Sequence, residues 1–335
     1  MRVMVFASLL LQGCIAVSMP GRSFRGPVPD PTPTDKQIAA TLEADVRFLA
    51  EEVGPRLCWE PETFEKAAHY LEEELKAAGY TVERQTFTTE PPSRSGLGPV
   101  QTFNIVAERE GTSNPEEIVV IGAHFDTFFG QRTPGADDNA SGVAMMLALA
   151  RSAATRDNAR TLRFIAFTNE EPPFFKSDFM GSVVAAKRSS EAGEKVVAMW
   201  SLETLGYYDD RPRSQGYPFP MGLFYPRTGD TLFFIGDYRS RRVVRQSIGA
   251  FREEAELGSV GGGLPQAFAA ISFSDHWSYW QQGYRAVMIT DTAFMRNPHY
   301  HRPSDTADTL DYRRMALAFT GLDAAVSALA TPPEK

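Results

Sequence analysis

The sequence predicts an α/β fold, a three-layer sandwich in which helices cover both faces of a mixed, mostly parallel central sheet. Two observations predict it. Four apolar runs, Ile118–Ala123, Leu162–Thr168, Val196–Leu202 and Ala286–Thr290, read as buried strands. Segments of helical periodicity alternate with strands along the chain, the pattern of a single α/β domain. A third observation concerns chemistry. His or carboxylate groups follow these runs, as His124-Phe125-Asp126, Glu170-Glu171, Glu203 and His299-Tyr300-His301. In an open α/β sheet the carboxyl ends of the strands form the functional edge, so one edge is expected to collect these groups.

Taken in order, the chain begins with Arg2 and the apolar run Val3–Leu11, followed by Gln12-Gly13-Cys14. The run is shorter than the roughly 20 residues that span a bilayer and fits a secretory signal. Leu-Gln-Gly-Cys resembles a bacterial lipoprotein box, with Cys14 as the lipidated residue. Residues 1–18 are thus read as signal and lipobox, and 19–35, rich in Pro, Gly, Ser and Thr, as a flexible tether. One domain is expected over 36–335.

Within that domain, Lys36–Val53 is amphipathic. Phe64, Ala68, Leu71, Leu75 and Ala78 mark a helix that Gly79 ends. Tyr80–Phe87 and Thr102–Glu108 alternate as strands do, and Gly111–Pro115 reads as a hairpin loop into Ile118–Ala123. Ser141–Ala154 is a helix with Asn139 or Ser141 at its N-cap. Gly206–Gly236 reads as surface loops with a short strand at Thr231–Ile235. Arg239–Glu256 is helical, with Arg241, Arg242 and Arg245 on a solvated face. Gly258–Gly263 is expected to be a flexible loop, and Tyr312–Leu329 a closing amphipathic helix.

The formal net charge of −8 disfavours nucleic acid and anionic membrane surfaces as partners. If Cys14 is lipidated, Cys58 has no internal disulfide partner, and it reads as a small buried hydrophobe.

The five ligand-bearing stretches point to a metal centre. His124 at a strand end offers one nitrogen to a metal, while Asp126 is placed to take the other ring N–H and fix the tautomer. In Gly135-Ala136-Asp137-Asp138-Asn139-Ala140-Ser141-Gly142, adjacent carboxylates repel and need a counter-charge. A carboxylate there has two oxygens with which to bridge two cations. Glu170 and Glu171 point in opposite directions on extended backbone, so one can bind metal while the other moves a proton. Glu203 ends an otherwise apolar strand, an expensive place for an unpaired carboxylate. His301 is followed by Asp305, which either orients it or caps the next segment. Each stretch alone has a bland reading as a surface pair or cap; five at one sheet edge do not.

On these motifs the chain resembles the co-catalytic zinc aminopeptidases, whose relatives include glutamate carboxypeptidase, glutaminyl cyclase and the non-catalytic transferrin receptor. The resemblance implies two Zn²⁺ per chain. Asp138 would bridge them, His124 and Glu203 would complete one site, and Glu171 and His301 the other. It also implies Glu170 as general acid/base, Asp126 as the partner of His124, and a cis peptide at Asp138–Asn139. The implied activity is release of N-terminal residues from short peptides by a shared water or hydroxide; the lipobox at Cys14 would place it in the bacterial cell envelope, with the lipid anchor as the only membrane contact. Two departures stand out: Glu203 replaces an aspartate, and Pro172-Pro173-Phe174-Phe175 replaces a Gly-Leu segment. A carboxypeptidase or dipeptidase would need a basic group for the substrate carboxylate, with Arg296 and Arg302 as candidates. A cyclase or a non-catalytic binding module are further alternatives. Ser274-Asp275-His276 resembles a family segment near the active site, and the roles of Asp275, His276 and His299 stay open.

Overall fold

The computed structural model describes residues 18–332, apart from 91–95, 97 and 220. Cys14 and the signal-like segment lie outside the described residues. Among the described residues, no helix is long and apolar enough to cross a membrane.

Eight strands form one sheet: β1 (Thr81–Thr89), β2 (Val100–Arg109), β3 (Asn114–His124), β4 (Arg160–Phe167), β5 (Lys195–Glu203), β6 (Thr231–Asp237), β7 (Gly258–Leu264) and β8 (Ala286–Thr290). Their order is β1-β2-β4-β3-β5-β8-β6-β7. The block β4-β3-β5-β8 is parallel throughout, so the strands that carry the site all end on the same edge. β2 joins β4, and β6 joins β8, in antiparallel fashion. The expected hairpin at Gly111–Pro115 does not form, because β4 lies between β2 and β3.

Period-two alternation divides each central strand between two cores. Val119 and Ile121 of β3, with Trp200 and Leu202 of β5, face α1 (Pro33–Arg47), α2 (Pro61–Ala77), α3 (Gly142–Ala153), α5 (Arg241–Glu254) and α7 (Tyr312–Ala330). Ile118, Val120 and Met199 face a smaller core with α4 (Gly181–Glu191) and α6 (His276–Gln281). Both faces are therefore covered, which is why the central strands carry continuous apolar runs such as Ile118–Ile121 and Phe164–Phe167.

Two segments depart from the sequence expectations. Gly258–Gly263 is not a loop but most of β7, paired with β6. A Cβ on Gly263 would meet the Arg241 Cβ at 2.8 Å, so the glycine is what lets α5 pack against this strand. The low strand propensity of a glycine run hides that packing requirement. The segment 19–35, read above as a tether, lies along α5, β7 and α7 up to residue 32 and then begins α1 at Pro33. Ser23 Oγ accepts the Ser259 N–H at 2.8 Å, and the Arg252 guanidinium donates to the Pro20 carbonyl at 2.9 Å.

Candidate metal centre

Three strand ends and two loops meet at one point. His124 is the last residue of β3 and Glu203 the last of β5, while Glu170 and Glu171 follow β4. Asp138 sits between β3 and α3, and the Asp138–Asn139 peptide is cis, as expected. His301 does not lie at the end of β8; it arrives through the irregular segment after Thr290, with φ 57°.

Asp138 is the centre of the arrangement. Its Oδ1 lies 3.3 Å from His124 Nε2, and its Oδ2 lies 3.0 Å from His301 Nε2. Glu203 Oε2 is 3.4 Å from His124 Nε2, and Glu171 Oε1 is 3.1 Å from His301 Nε2. Two ligand triads result, His124/Asp138/Glu203 and Asp138/Glu171/His301, sharing one carboxylate. Four of these atoms, His124 Nε2, Asp138 Oδ2, Glu171 Oε1 and His301 Nε2, are buried with no hydrogen-bond partner. Orphaned buried polar atoms are costly, and here they converge. A pair of cations would satisfy all four, and mixed imidazole and carboxylate donors suit zinc. The residues present therefore fit zinc.

Electrostatics agree with that reading. Burial, reinforced by Asp138, pushes Glu171 up to about 8. Glu170 is raised well above the ordinary carboxylate value, by burial and then by Glu203 and Glu171, against the pull of His124. Burial opposes a charged Asp138, yet contacts with His124 and His301 hold its carboxyl below its ordinary value. So many buried carboxylates around two imidazoles need additional positive charge.

The surrounding residues set the geometry. Asn139 Oδ1 accepts the N–H groups of Gly142 and Thr204 at 3.2 and 3.0 Å, and Asn139 Nδ2 donates to the Leu202 carbonyl at 2.8 Å. Asn139, not Ser141, thus caps α3 and ties it to the end of β5. A Cβ on Gly142 would come within 2.6 Å of that same carbonyl. Asp305 accepts the backbone N–H of Asp137 at 2.9 Å and of Asp138 at 3.1 Å, so it holds the Asp138 loop rather than orienting His301. Asp137 is not a ligand; its oxygens accept from Gly206 N and Asn297 Nδ2.

Asp126 requires a correction. Its carboxylate was expected to take the second ring N–H of His124, but that nitrogen, Nδ1, lies 3.2 Å from the Asp126 backbone carbonyl and 3.7 Å from its carboxylate. The carboxylate instead accepts the backbone N–H groups of Glu170 and Glu171. Two residues of extended chain bring the Asp126 carbonyl under the ring before the side chain reaches it.

Other candidates resolve by burial. His276 is fully buried and its Nε2 donates to the Ile271 carbonyl at 2.7 Å, a packing role. Ser274 Oγ donates to Glu203 Oε2 at 2.6 Å and fixes that carboxylate. Asp275 is fully buried, and burial raises its carboxyl to about 7. His299 Nδ1 contacts Ser304 Oγ, and its ring packs against Tyr207 instead of joining either triad. Arg296 is not free to hold a substrate, since its guanidinium donates to Gln215, the Tyr207 carbonyl and the Thr231 carbonyl.

Sequence reasoning missed Arg56. The side chain is fully buried, and its guanidinium donates to five carbonyls, those of Leu49, Gly54, Phe125, Pro134 and Gly135. It clamps the residue after His124 to the loop that precedes Asp138. Burial lowers its pKa to about 10. No local pattern around Gly54-Pro55-Arg56 marks that role.

A sheet that gathers imidazole and carboxylate ligands at its carboxyl edge, with a spare buried glutamate beside them, defines a metallopeptidase-type hydrolase. The chain belongs to peptidase family M28, whose model matches residues 104–322 and so includes every residue of both triads, Glu170 and Asp126. It is 37% identical over 331 residues to the uncharacterized protein YfbL of Escherichia coli (strain K12), covering 96% of this chain and 98% of that one. A probable leucine aminopeptidase of Arthroderma otae (strain ATCC MYA-4605 / CBS 113480) is 28% identical over 64% of this chain, which spans 53% of that protein's length. In fold, the chain is similar to an aminopeptidase from Aneurinibacillus sp. strain AM-1, with a TM-score of 0.65 and 19% identity over 87% of this chain and 95% of that one.

Proposed function

We propose that this chain is a zinc aminopeptidase with two metal ions, which removes N-terminal residues from short peptides. The observation that carries the reading is the shared carboxylate: the two oxygens of Asp138 face two separate imidazoles, each with its own glutamate. His124, Asp138 and Glu203 would hold one ion, and Asp138, Glu171 and His301 the other. When bound, the two ions polarise the scissile carbonyl and acidify a water toward neutral pKa.

The chain's own residues do the rest. Glu170 belongs to neither triad, and its Oε2 lies 3.9 Å from His124 Nε2. A buried carboxylate with a raised pKa is a good proton carrier near neutrality. Glu170 accepts a proton from the attacking water as the carbon–oxygen bond forms. It then returns that proton to the departing amine as the carbon–nitrogen bond breaks. The substrate's free α-amine, a cation at neutral pH, is drawn toward the surrounding carboxylates, Glu203 among them. That requirement makes the enzyme an exopeptidase. Engagement of Arg296 with protein carbonyls removes one candidate for a carboxypeptidase.

The reading extends to location. Cys14 would carry a lipid and hold the enzyme in the bacterial cell envelope, which Cys14→Ala and labelling with a fatty-acid analogue would test. For the activity, the metal-stripped chain restored with zinc is given matched peptides with free and acetylated N-termini. Release of N-terminal residues from the free set alone is expected; equal cleavage of both sets would overturn the aminopeptidase reading.

A further inference from the structure

The segment Pro172-Pro173-Phe174-Phe175 leads directly into Lys176, and the structure gives that lysine an unusual setting. Its ammonium lies 5.2 Å from the Phe175 ring, 5.4 Å from Phe273 and 5.2 Å from Trp277. Nζ donates to Ser272 Oγ at 2.8 Å, and no carboxylate pairs with it among the described residues. The residue is partly buried, with φ 57°, a conformation that favours glycine. An ammonium held half out of water by aromatic faces keeps its charge available to a ligand.

The place matters as much as the chemistry. Lys176 follows directly on the turn that carries Glu170 and Glu171, in which the Phe174 N–H donates to the Glu171 carbonyl at 3.0 Å; burial lowers the lysine's pKa while the charge of Glu170 raises it. From Lys176 a row of rings runs back to the metal centre. Phe175 meets Phe273 at 6.5 Å, Phe273 meets Phe294 at 6.3 Å, Phe294 meets Tyr300 at 5.7 Å, and Tyr300 stacks on His301 at 3.8 Å. Phe273 and Phe294 are 39% and 54% exposed, so the row presents an apolar surface to solvent. The rings form a connected apolar surface between Lys176 and His301.

We propose that Lys176 is a specificity-determining residue that anchors a carboxylate of the substrate beside this aromatic surface. The inference rests on the aminopeptidase reading and names its substrate class: short peptides that carry a carboxylate close to the scissile bond. That carboxylate is either the acidic side chain of the N-terminal residue or the terminal carboxylate of a dipeptide.

The test uses the zinc-loaded chain, its Lys176→Met variant and its Lys176→Arg variant. One arm compares leucylglycine with leucylglycinamide. The other compares glutamyl with glutaminyl p-nitroanilide. Wild type is expected to prefer the carboxylate member of one pair. Lys176→Met should lose about 10- to 100-fold in kcat/KM on that member, the value of a hydrogen bond to a charged group. The neutral member should be unchanged, which also shows that the variant folds. Lys176→Arg should recover most of the loss. The pair that responds identifies the source of the carboxylate. Equal losses on both members, or no loss on either, would overturn the anchor while leaving the aminopeptidase reading intact. Cleavage of no substrate by the wild type would overturn both.

Discussion

The carboxylate of Asp126 and the backbone N–H of Glu170 lie 3.1 Å apart, and the adjacent Glu171 N–H meets the same carboxylate at 3.2 Å. One side chain from the loop after β3 thus fixes the turn that carries both a candidate ligand and the candidate proton carrier. Asp126→Asn replaces one acceptor oxygen with an amide that donates, so one of the two N–H groups loses its partner. Kinetics and metal analysis of this variant should show a fall of about 10- to 100-fold in activity or zinc affinity. An unchanged kcat/KM at unchanged zinc content would refute this role.

Glu170→Gln separates metal binding from proton transfer. Glu170 stands outside both triads, so zinc content should match wild type. Turnover should fall about 100- to 10,000-fold, the usual contribution of a general acid/base. A variant that keeps both its zinc and most of its rate would remove Glu170 from the mechanism.

Arg56→Met would remove a donor from five backbone carbonyls, of which those of Leu49 and Gly135 keep the N–H groups of Gly54 and Ala140. Each buried acceptor left unpaired costs about 1–3 kcal/mol, so a loss of at least about 3 kcal/mol is expected in urea unfolding. Arg56→Lys should recover little of that stability, because an ammonium lacks the planar fork that reaches several carbonyls. Wild-type stability in the lysine variant would show that charge alone matters.

Acid stability should depend on His276. Burial lowers its pKa from 6.5 to about 4. The unfolded chain therefore binds a proton that the folded chain refuses, and stability falls as pH drops from about 6.5 toward 4. The shift corresponds to about 3 kcal/mol across that window. His276→Gln, compared with wild type in urea at pH 7 and pH 5, should be less stable at pH 7 yet lose less on acidification. Parallel losses in both proteins would assign the acid sensitivity elsewhere.

Much of the centre was legible because its ligands belong to strand ends. Apolar runs identify β3, β4, β5 and β8, and His124 and Glu203 follow from where those runs stop. The Asp137-Asp138-Asn139 turn was legible as well, since adjacent carboxylates next to glycines have few uses. What stayed hidden depends on contacts distant in sequence. Arg56 acts on carbonyls up to Gly135, and Asp305 on the amides of Asp137 and Asp138. β7 was concealed because glycines chosen for close approach look like a loop. The Asp126 difference is smaller in scale: the pairing was right in sequence, but backbone and side chain exchanged partners. Lys176 was invisible because its three ring neighbours come from residues 175, 273 and 277.

The proposed chemistry depends on Asp138 as a bridge, and counting metal ions tests that role most directly. The chain is stripped, restored with zinc, freed of excess and measured by mass spectrometry of the metal. Two ions per wild-type chain are expected, and one per chain in His301→Ala, which removes a ligand from a single triad. One ion in wild type, or the same count in both proteins, would contradict a centre built from two metals on a shared carboxylate.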